Sequence, residues 1–364
     1  MITKLKNARI GGISIVTSIC LMLLSCNESI TPGEDKVGAT EESNFTNASG
    51  VNLQPSFTNN GDVNAGWNYM KSFDEINAVR IEINPEAGGG MATQVNNAAR
   101  LIKEASGYGY QIIATYHPNK LGDNSTNRDI QNAGRFWKEN YAKLSSNGTA
   151  PFIINLINEW GSHDISAKNF ADQVNSALDD VYDAPVHPRD GGTGNYNKKV
   201  IIDAPGYGQE TYTLKQAIPM IKANYRNKLI LSAHIYPACG VQNRPDNKPG
   251  PMNTNDLAIM AQTGLPCILG EFGSYSKGGG SADWSKMVDY ARIKSWPIFA
   301  WAWCGDGTGK PEDGQALSGK GMNMVKVQNE PGKIWSYGNF KINGDNSPYQ
   351  ASSYMKTMID KLPK

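Results

Sequence analysis

From Gly50 onward, eight short apolar runs alternate with stretches of helical periodicity, and no other pattern in the 364 residues leaves so few folds open. The runs are Gly50–Leu53, Ala78–Ile83, Tyr110–Tyr116, one ahead of Glu159, Val200–Asp203, Leu229–His234, one ahead of Glu271, and Pro297–Trp301. Rich in β-branched residues and bounded by turn formers, such runs read as strands buried on both faces. Between them, Ala92–Ser106 carries Val95, Ala98, Ala99, Leu101 and Ile102 at helical spacing, and Gly107 stops it. Asn127–Leu144, Ser166–Val181, Leu214–Asn224, Asn255–Thr263 and Asp283–Lys294 also read as helices, as do Trp67–Asn77 and the closing Pro348–Leu362. Unbroken strand–helix alternation predicts parallel βαβ units. Eight of them favour an α/β fold of the closed (β/α)8 TIM-barrel type, in a single domain over residues 48–364. An open dinucleotide-binding sheet would carry Gly-x-Gly-x-x-Gly after its first strand, and none is present.

The N-terminus reads differently. Lys4, Lys6 and Arg9 precede an apolar stretch from Ile10 to Leu24, which ends in Leu23-Leu24-Ser25-Cys26. A basic start and a short apolar segment predict a signal peptide over residues 1–25, not a spanning helix. The ending resembles a lipobox, which implies cleavage before Cys26 and its lipidation; an ordinary signal peptide with an incidental cysteine is the alternative. The expected localisation is export and lipid anchorage to a bacterial membrane. Residues 26–47 are polar and acidic, as a flexible tether would be, compatible with display at the cell surface. Removing residues 1–25 takes the formal charge from +1 to −2, which disfavours nucleic acid as a partner. Cys239, Cys267 and Cys304 remain, without zinc-site spacing; Cys239 and Cys304 follow strands on one rim, so a disulfide and free buried thiols both stay open.

Two runs end abruptly in glutamate: Ile153-Ile154-Asn155-Leu156-Ile157-Asn158-Glu159 and Pro266-Cys267-Ile268-Leu269-Gly270-Glu271. The C-terminal ends of barrel strands are where ligands bind. Two carboxylates 112 positions apart, on different strands, suit the paired acids of glycoside hydrolysis. One would protonate the leaving oxygen and the other would attack carbon or activate water. A lone glutamate there would more often be an ion-pair partner. Arg80 is placed to keep Glu271 ionised, or else to pair with Glu82, which shares its strand parity. His234 and Tyr236 also share a parity and can orient the carboxylates. Trp301 and Trp303 do too, with one stacking under a sugar and one packing in the barrel as reasonable as both binding substrate. No His, Asp and Glu cluster has ligand spacing, so neither a metal nor another cofactor is expected.

On these residues the chain resembles glycoside hydrolase family 5, over about Gly50 to Trp303. The resemblance implies Glu159 as acid/base and Glu271 as nucleophile. It also implies Asn158 as a ligand of the sugar 2-hydroxyl, Arg80 beside the nucleophile, and His117, His234, Tyr236 and Trp301 around the substrate. Asn158-Glu159-Trp160, Asp203-Ala204-Pro205-Gly206-Tyr207-Gly208-Gln209 and Ala300-Trp301-Ala302-Trp303 are most similar to its bacterial endo-β-1,4-mannanases. That adds Trp160, Tyr207 and Trp303 as expected sugar contacts, Tyr207 standing where a tryptophan is usual. The exits His117-Pro118-Asn119-Lys120 and Pro237-Ala238-Cys239 depart from the mannanase pattern, and both border the sugar subsites. The expected function is therefore retaining endo-hydrolysis of β-1,4-mannan, with a poly- or oligosaccharide as partner. A β-1,4-glucanase of the same family is the alternative. A surface glycan-binding protein on the same barrel is a third reading, which the retained Glu159, Glu271, Asn158 and Arg80 disfavour. Asn329-Glu330-Pro331 spells the Asn-Glu-Pro form common in the resembled family, but it follows no buried strand and lies beyond the eighth, so Glu330 is assigned to a loop.

Overall fold

The computed structural model describes residues 48–145, 152–186, 194–276, 279–306, 322–327, 338–339 and 349–363. The expected signal peptide, Cys26, the tether and Glu330 all lie outside them. Eight strands form a closed parallel barrel: β1 (Ser49–Leu53), β2 (Ala78–Ile83), β3 (Gln111–Tyr116), β4 (Ile153–Asn155), β5 (Val200–Asp203), β6 (Leu229–Ile235), β7 (Cys267–Phe272) and β8 (Ile298–Ala300). Each pairs with its neighbour in sequence, and β1 closes the ring on β8 through Gly50 opposite Phe299. Around it pack α1 (Gly90–Gly107), α2 (Asn127–Ser145), α3 (Ala167–Tyr182), α4 (Thr211–Ala217), α5 (Thr254–Ala261) and α6 (Trp284–Ile293), with α7 (Ser353–Ile359) last.

Three expected helices are shorter, among them Pro348–Leu362, which is helical only over Ser353–Ile359 because Tyr349–Ala351 is paired as a strand. Trp67–Asn77 is helical only over Trp67–Met70. Asn77 is already committed to β1, donating to the Ser49 carbonyl at 2.8 Å and accepting from the Ser49 amide through Oδ1 at 2.8 Å. Leu214–Asn224 ends as α4 at Ala217, because Pro219 lacks an amide hydrogen and clashes with the preceding turn. Val325–Val327, expected to form no strand, pairs antiparallel with Tyr349–Ala351 outside the barrel. Cys239, Cys267 and Cys304 are all buried thiols, so the open question of a Cys239–Cys304 disulfide resolves to thiols.

The interior is layered. At the N-terminal end Ala48, Ala78, Ile113, Ile201, Ile230, Ile268 and Phe299 form a closed apolar cluster. Further along the strands the chemistry changes, since the same inward parity carries Arg80, Asn155, Asp203 and Ser232 two residues on, and Asn52 four residues beyond Ala48, all buried. The apolar layer closes the bottom of the barrel; the polar layer opens towards the C-terminal rim.

Trp303 belongs to neither layer. Its indole nitrogen donates to the Ala65 carbonyl at 2.8 Å, and its ring packs on Tyr69, Phe73 and Tyr349. It is fully buried, so its expected sugar contact is corrected. The alternation shared with Trp301 holds only while the chain is extended, and β8 has ended at Ala300. Trp303→Ala is expected to cost about 3–5 kcal/mol by opening a cavity. A denaturant titration reads that loss, and an unchanged midpoint contradicts the placement.

Candidate active site

Glu159 and Glu271 reach the same point by different routes. Glu159 sits four residues beyond β4, in a turn where its own φ is +48°. That conformation costs a non-glycine residue about 1–3 kcal/mol and persists where neighbours fix it. Here the Asn158 amide donates to the Tyr116 carbonyl, the Glu159 amide to Asp203 Oδ2 at 3.1 Å, and the Gly122 amide to the Glu159 carbonyl at 2.7 Å. Three neighbouring loops and strands thus hold the turn.

Glu271 depends on a bulge. Ile268 faces the barrel interior, so strict alternation would turn residue 271 towards the helices. Between Leu269 and Glu271 the register shifts by one, leaving Gly270 unmatched and setting Glu271 opposite His234. Only glycine fits at 270, because a β-carbon there would lie 2.4 Å from Ser232 Oγ and 2.8 Å from His234 Nε2.

One oxygen of each carboxylate and a ring nitrogen of His234 all lie within 4.8 Å of one another. His234 Nδ1 is 3.0 Å from Glu159 Oε1 and 3.5 Å from Glu271 Oε1. Its Nε2 is 3.5 Å from Asp203 Oδ2. Arg80 Nη1 donates to Glu271 Oε1 at 3.0 Å, and the Tyr236 hydroxyl to Glu271 Oε2 at 2.6 Å. Arg80 also contacts Glu82 Oε1 at 3.0 Å, so both pairings expected from the sequence are present. Its Nη2 donates to Asn158 Oδ1, which leaves the amide nitrogen of Asn158 for another partner.

The electrostatics separate the two acids. Burial, then the charge of Glu271, raise the Glu159 carboxyl above its usual range, with His234 opposing. Glu271 holds two close donors on separate oxygens, an arrangement that serves an ionised carboxylate. Burial depresses His234, but the carboxylates of Glu271 and Asp203 outweigh it and lift the imidazole to about 10. Burial likewise pushes Asp203 up, but His234 and Arg80 prevail and hold it at about 2. Glu159, His234 and Glu271 also have the span of a metal cluster. The donors already on both oxygens of Glu271, and the guanidinium beside them, favour ionised carboxylate chemistry instead.

Asp203 was quoted in the sequence only as part of a motif, yet it ties three elements together. Its Oδ1 accepts from Asn155 Nδ2 at 3.2 Å, and its Oδ2 anchors the backbone of Glu159. Because it ionises more readily folded than unfolded, it stabilises the fold above about pH 4, and that contribution is lost as pH falls towards 2. Asp203→Asn is expected to cost at least about 2 kcal/mol at neutral pH, with the gap to the parent narrowing in acid. Urea titrations at several pH values check it; a gap independent of pH contradicts it.

The remaining expected residues divide. His117 lies at the end of β3 with Nε2 3.6 Å from Glu82 Oε2, its ring set edge-on by Phe57. Phe57 is half-exposed and went unremarked in the sequence, where nothing distinguishes it from a core aromatic. Trp301 is partly exposed at the end of β8, its carbonyl held by the Tyr354 hydroxyl of α7 at 2.7 Å. Tyr207 lies further out, its ring over Gly122 and 5.8 Å from that of His163. Trp160 is corrected: its ring is buried against Phe170 of α3, and its indole nitrogen donates to the Thr126 carbonyl. The turn that presents Glu159 inward sends the next side chain outward.

The loop Tyr236–Met252 folds back on a short hairpin pairing Gly240–Val241 with Gly250–Pro251. Buried Glu210 pins it by accepting from the amides of Gln242 and Asn243, and also contacts His163 Nδ1 at 2.7 Å.

Residues 40–307 match the profile of a family described as cellulase (glycosyl hydrolase family 5). The chain is 25% identical over 320 residues to beta-mannanase/endoglucanase A of Caldicellulosiruptor saccharolyticus, spanning 84% of this chain and 22% of that protein. The match thus spans only about a fifth of that relative's length. A beta-mannanase from Streptomyces thermolilacinus, solved with mannohexaose, superposes with a TM-score of 0.55 at 16% identity, over 85% of this chain and 92% of that one. The catalytic domain of a mannanase from Streptomyces sp. SirexAA-E gives 0.54 at 17% identity, over 79% and 81%. At these identities the structural likeness speaks for the barrel.

Proposed function

The chain belongs to glycosyl hydrolase family 5, and from that premise we propose that it is a retaining endo-β-1,4-mannanase working by double displacement. The observation that carries this reading is the approach of the two carboxylates, with oxygens within 4.8 Å. Carboxyl groups about 5–5.5 Å apart leave no room for a water between nucleophile and sugar, so the attack falls to Glu271 itself. Glu159, kept protonated by burial and by the charge of Glu271, gives its proton to the leaving oxygen. Glu271, held by Arg80 and Tyr236, attacks the anomeric carbon and forms a glycosyl ester. Glu159, now ionised, takes a proton from water, which attacks the same carbon and frees the sugar with its configuration retained. The spare amide of Asn158 is placed for the 2-hydroxyl.

Mannan is favoured as substrate by the strand-end motifs around Glu159, Tyr207 and Trp301, and by the mannanases among the similar proteins. A β-1,4-glucan is the second reading, because the matched family is described as cellulase and the relative's name joins both activities. Incubation with soluble mannan, glucomannan and mixed-linkage glucan, followed by sizing of products, decides between them. Internal cuts in mannan, with β-configured ends by proton NMR, are the expected result. Inverted ends refute the mechanism, and exclusive cleavage of glucan refutes the substrate.

The proposal extends to an exported lipoprotein attached through Cys26, on the strength of Lys4, Lys6, Arg9 and the Leu23–Cys26 ending. Metabolic labelling with a radioactive fatty acid should mark the wild-type chain and spare Cys26→Ser; equal labelling of both contradicts it.

A further inference from the structure

Glu82 takes no step in the double displacement, yet it is a fully buried carboxylate beneath the catalytic pair. It projects from β2 on the same side as Arg80, and the hydrogen bonds around it do not add up. Arg80 Nη1 has two protons but faces three acceptors: Asn52 Oδ1 at 2.8 Å, Glu82 Oε1 at 3.0 Å and Glu271 Oε1 at 3.0 Å. The other oxygen, Glu82 Oε2, is buried with no hydrogen-bond partner among the described residues. What faces it is His117 Nε2, at 3.6 Å.

The tautomer of His117 makes that contact informative. His117 Nδ1 lies 2.9 Å from the Pro118 carbonyl, and a carbonyl oxygen only accepts, so Nδ1 carries a hydrogen. In a neutral ring Nε2 is then a bare lone pair directed at Glu82 Oε2. Two lone pairs facing each other in a buried site repel unless a proton lies between them. Burial lowers His117, against the opposing charges of Glu271 and Glu159. Burial raises Glu82 to about 7, against the opposing charge of Arg80. Both influences favour the neutral ring and, below about pH 7, the protonated carboxyl.

We propose that Glu82 holds a proton on Oε2, directed at Nε2 of neutral His117, and acts as a positioning residue for the catalytic pair. The protonated carboxyl competes weakly for Arg80, which is left to Glu271, and it fixes the plane of the His117 ring from below while Phe57 fixes it from the side. The charged and titratable groups facing it are Arg80 on its own strand, His117 after β3, Glu159 after β4, Asp203 on β5, His234 on β6 and Glu271 on β7. With the Glu82 proton in place their charges balance: Arg80 and His234 positive, Asp203 and Glu271 negative, Glu159 and His117 neutral. Loss of that proton leaves one uncompensated negative charge in a buried site.

The effect on turnover rests on the catalytic reading given above, but the proton itself does not, and one experiment separates the two. The full chain, labelled with 15N at histidine, is followed by NMR between about pH 6 and 9. His117 is expected as the neutral Nδ1–H tautomer, with Nε2 shifted by an accepted hydrogen bond and responding to one step near pH 7 as Glu82 ionises. In Glu82→Gln, whose amide can donate from the same place but cannot titrate, the hydrogen-bonded shift persists and the step vanishes. In Glu82→Leu the shift moves to that of a free lone pair. Turnover should follow the donor, retained within about tenfold in the glutamine variant and down about a hundredfold in the leucine variant. An imidazolium or Nε2–H spectrum in the wild-type chain overturns the proposal without any variant having to fold. So does the same titration step persisting in Glu82→Gln. A chain that hydrolyses no glycan tested, yet shows the expected spectrum, overturns only the catalytic reading.

Discussion

Glu271→Ala is expected to reduce turnover on mannan by about 10⁴-fold or more, equivalent to about 5–6 kcal/mol of barrier. The group removed forms the bond to carbon, and a water in the space it vacates is a weak nucleophile with no base beside it. A small anion can enter from the same side. Azide should therefore restore cleavage of a substrate with a good leaving group, giving a glycosyl azide of inverted configuration. Arg80 loses its main partner in this variant but keeps the charge of Asp203 at 3.8 Å, so its own charge is not stranded. A circular dichroism melt separates lost chemistry from lost fold. Undiminished turnover in a folded Glu271→Ala chain would falsify the mechanism.

Glu159→Ala should lose about 10²–10⁴-fold on mannan, whose alkoxide leaving group needs a proton. With an aryl glycoside the first step needs no proton, so a burst of phenol followed by slow release is expected. Azide then attacks the glycosyl ester and yields the retained β-azide, the opposite outcome to the Glu271 variant. The parent enzyme's pH profile carries the same information. Glu159 works as an acid only when protonated, and burial and Glu271 raise its pKa, so activity falls as pH rises through that raised value. In Glu159→Ala with the aryl substrate, this alkaline fall should disappear from the first step. A fall at the same pH in both chains assigns it to another group.

The two misplaced indoles, Trp303 and Trp160, both lie where the chain has stopped being extended. Trp303 was grouped with Trp301, but β8 ends at Ala300 and the backbone turns the second indole into the core. Trp160 was read through its motif, but the turn that aims Glu159 at the sugar aims its neighbour at α3. Glu271 shows the converse, an inward placement that strand parity alone would deny and that the Gly270 bulge creates. Arg80 and Glu82, inside one regular strand, did share a face as parity required. Asp203 carries no signal of its own in the sequence, because a buried acid and a surface acid look alike until their partners are known.

The order of strands and helices along the chain was enough to specify the barrel, since each strand needs only local apolar patterning and each crossover permits one hand. The same order set which strand ends carry glutamate. Distance and protonation belong to the closed barrel alone. Residues 159 and 271 meet because eight strands close a ring, and the acids differ in charge state because burial and neighbours from five different strands act on them together. Electrostatic energy depends on separation in space, and chain position does not encode that separation until the ring has closed.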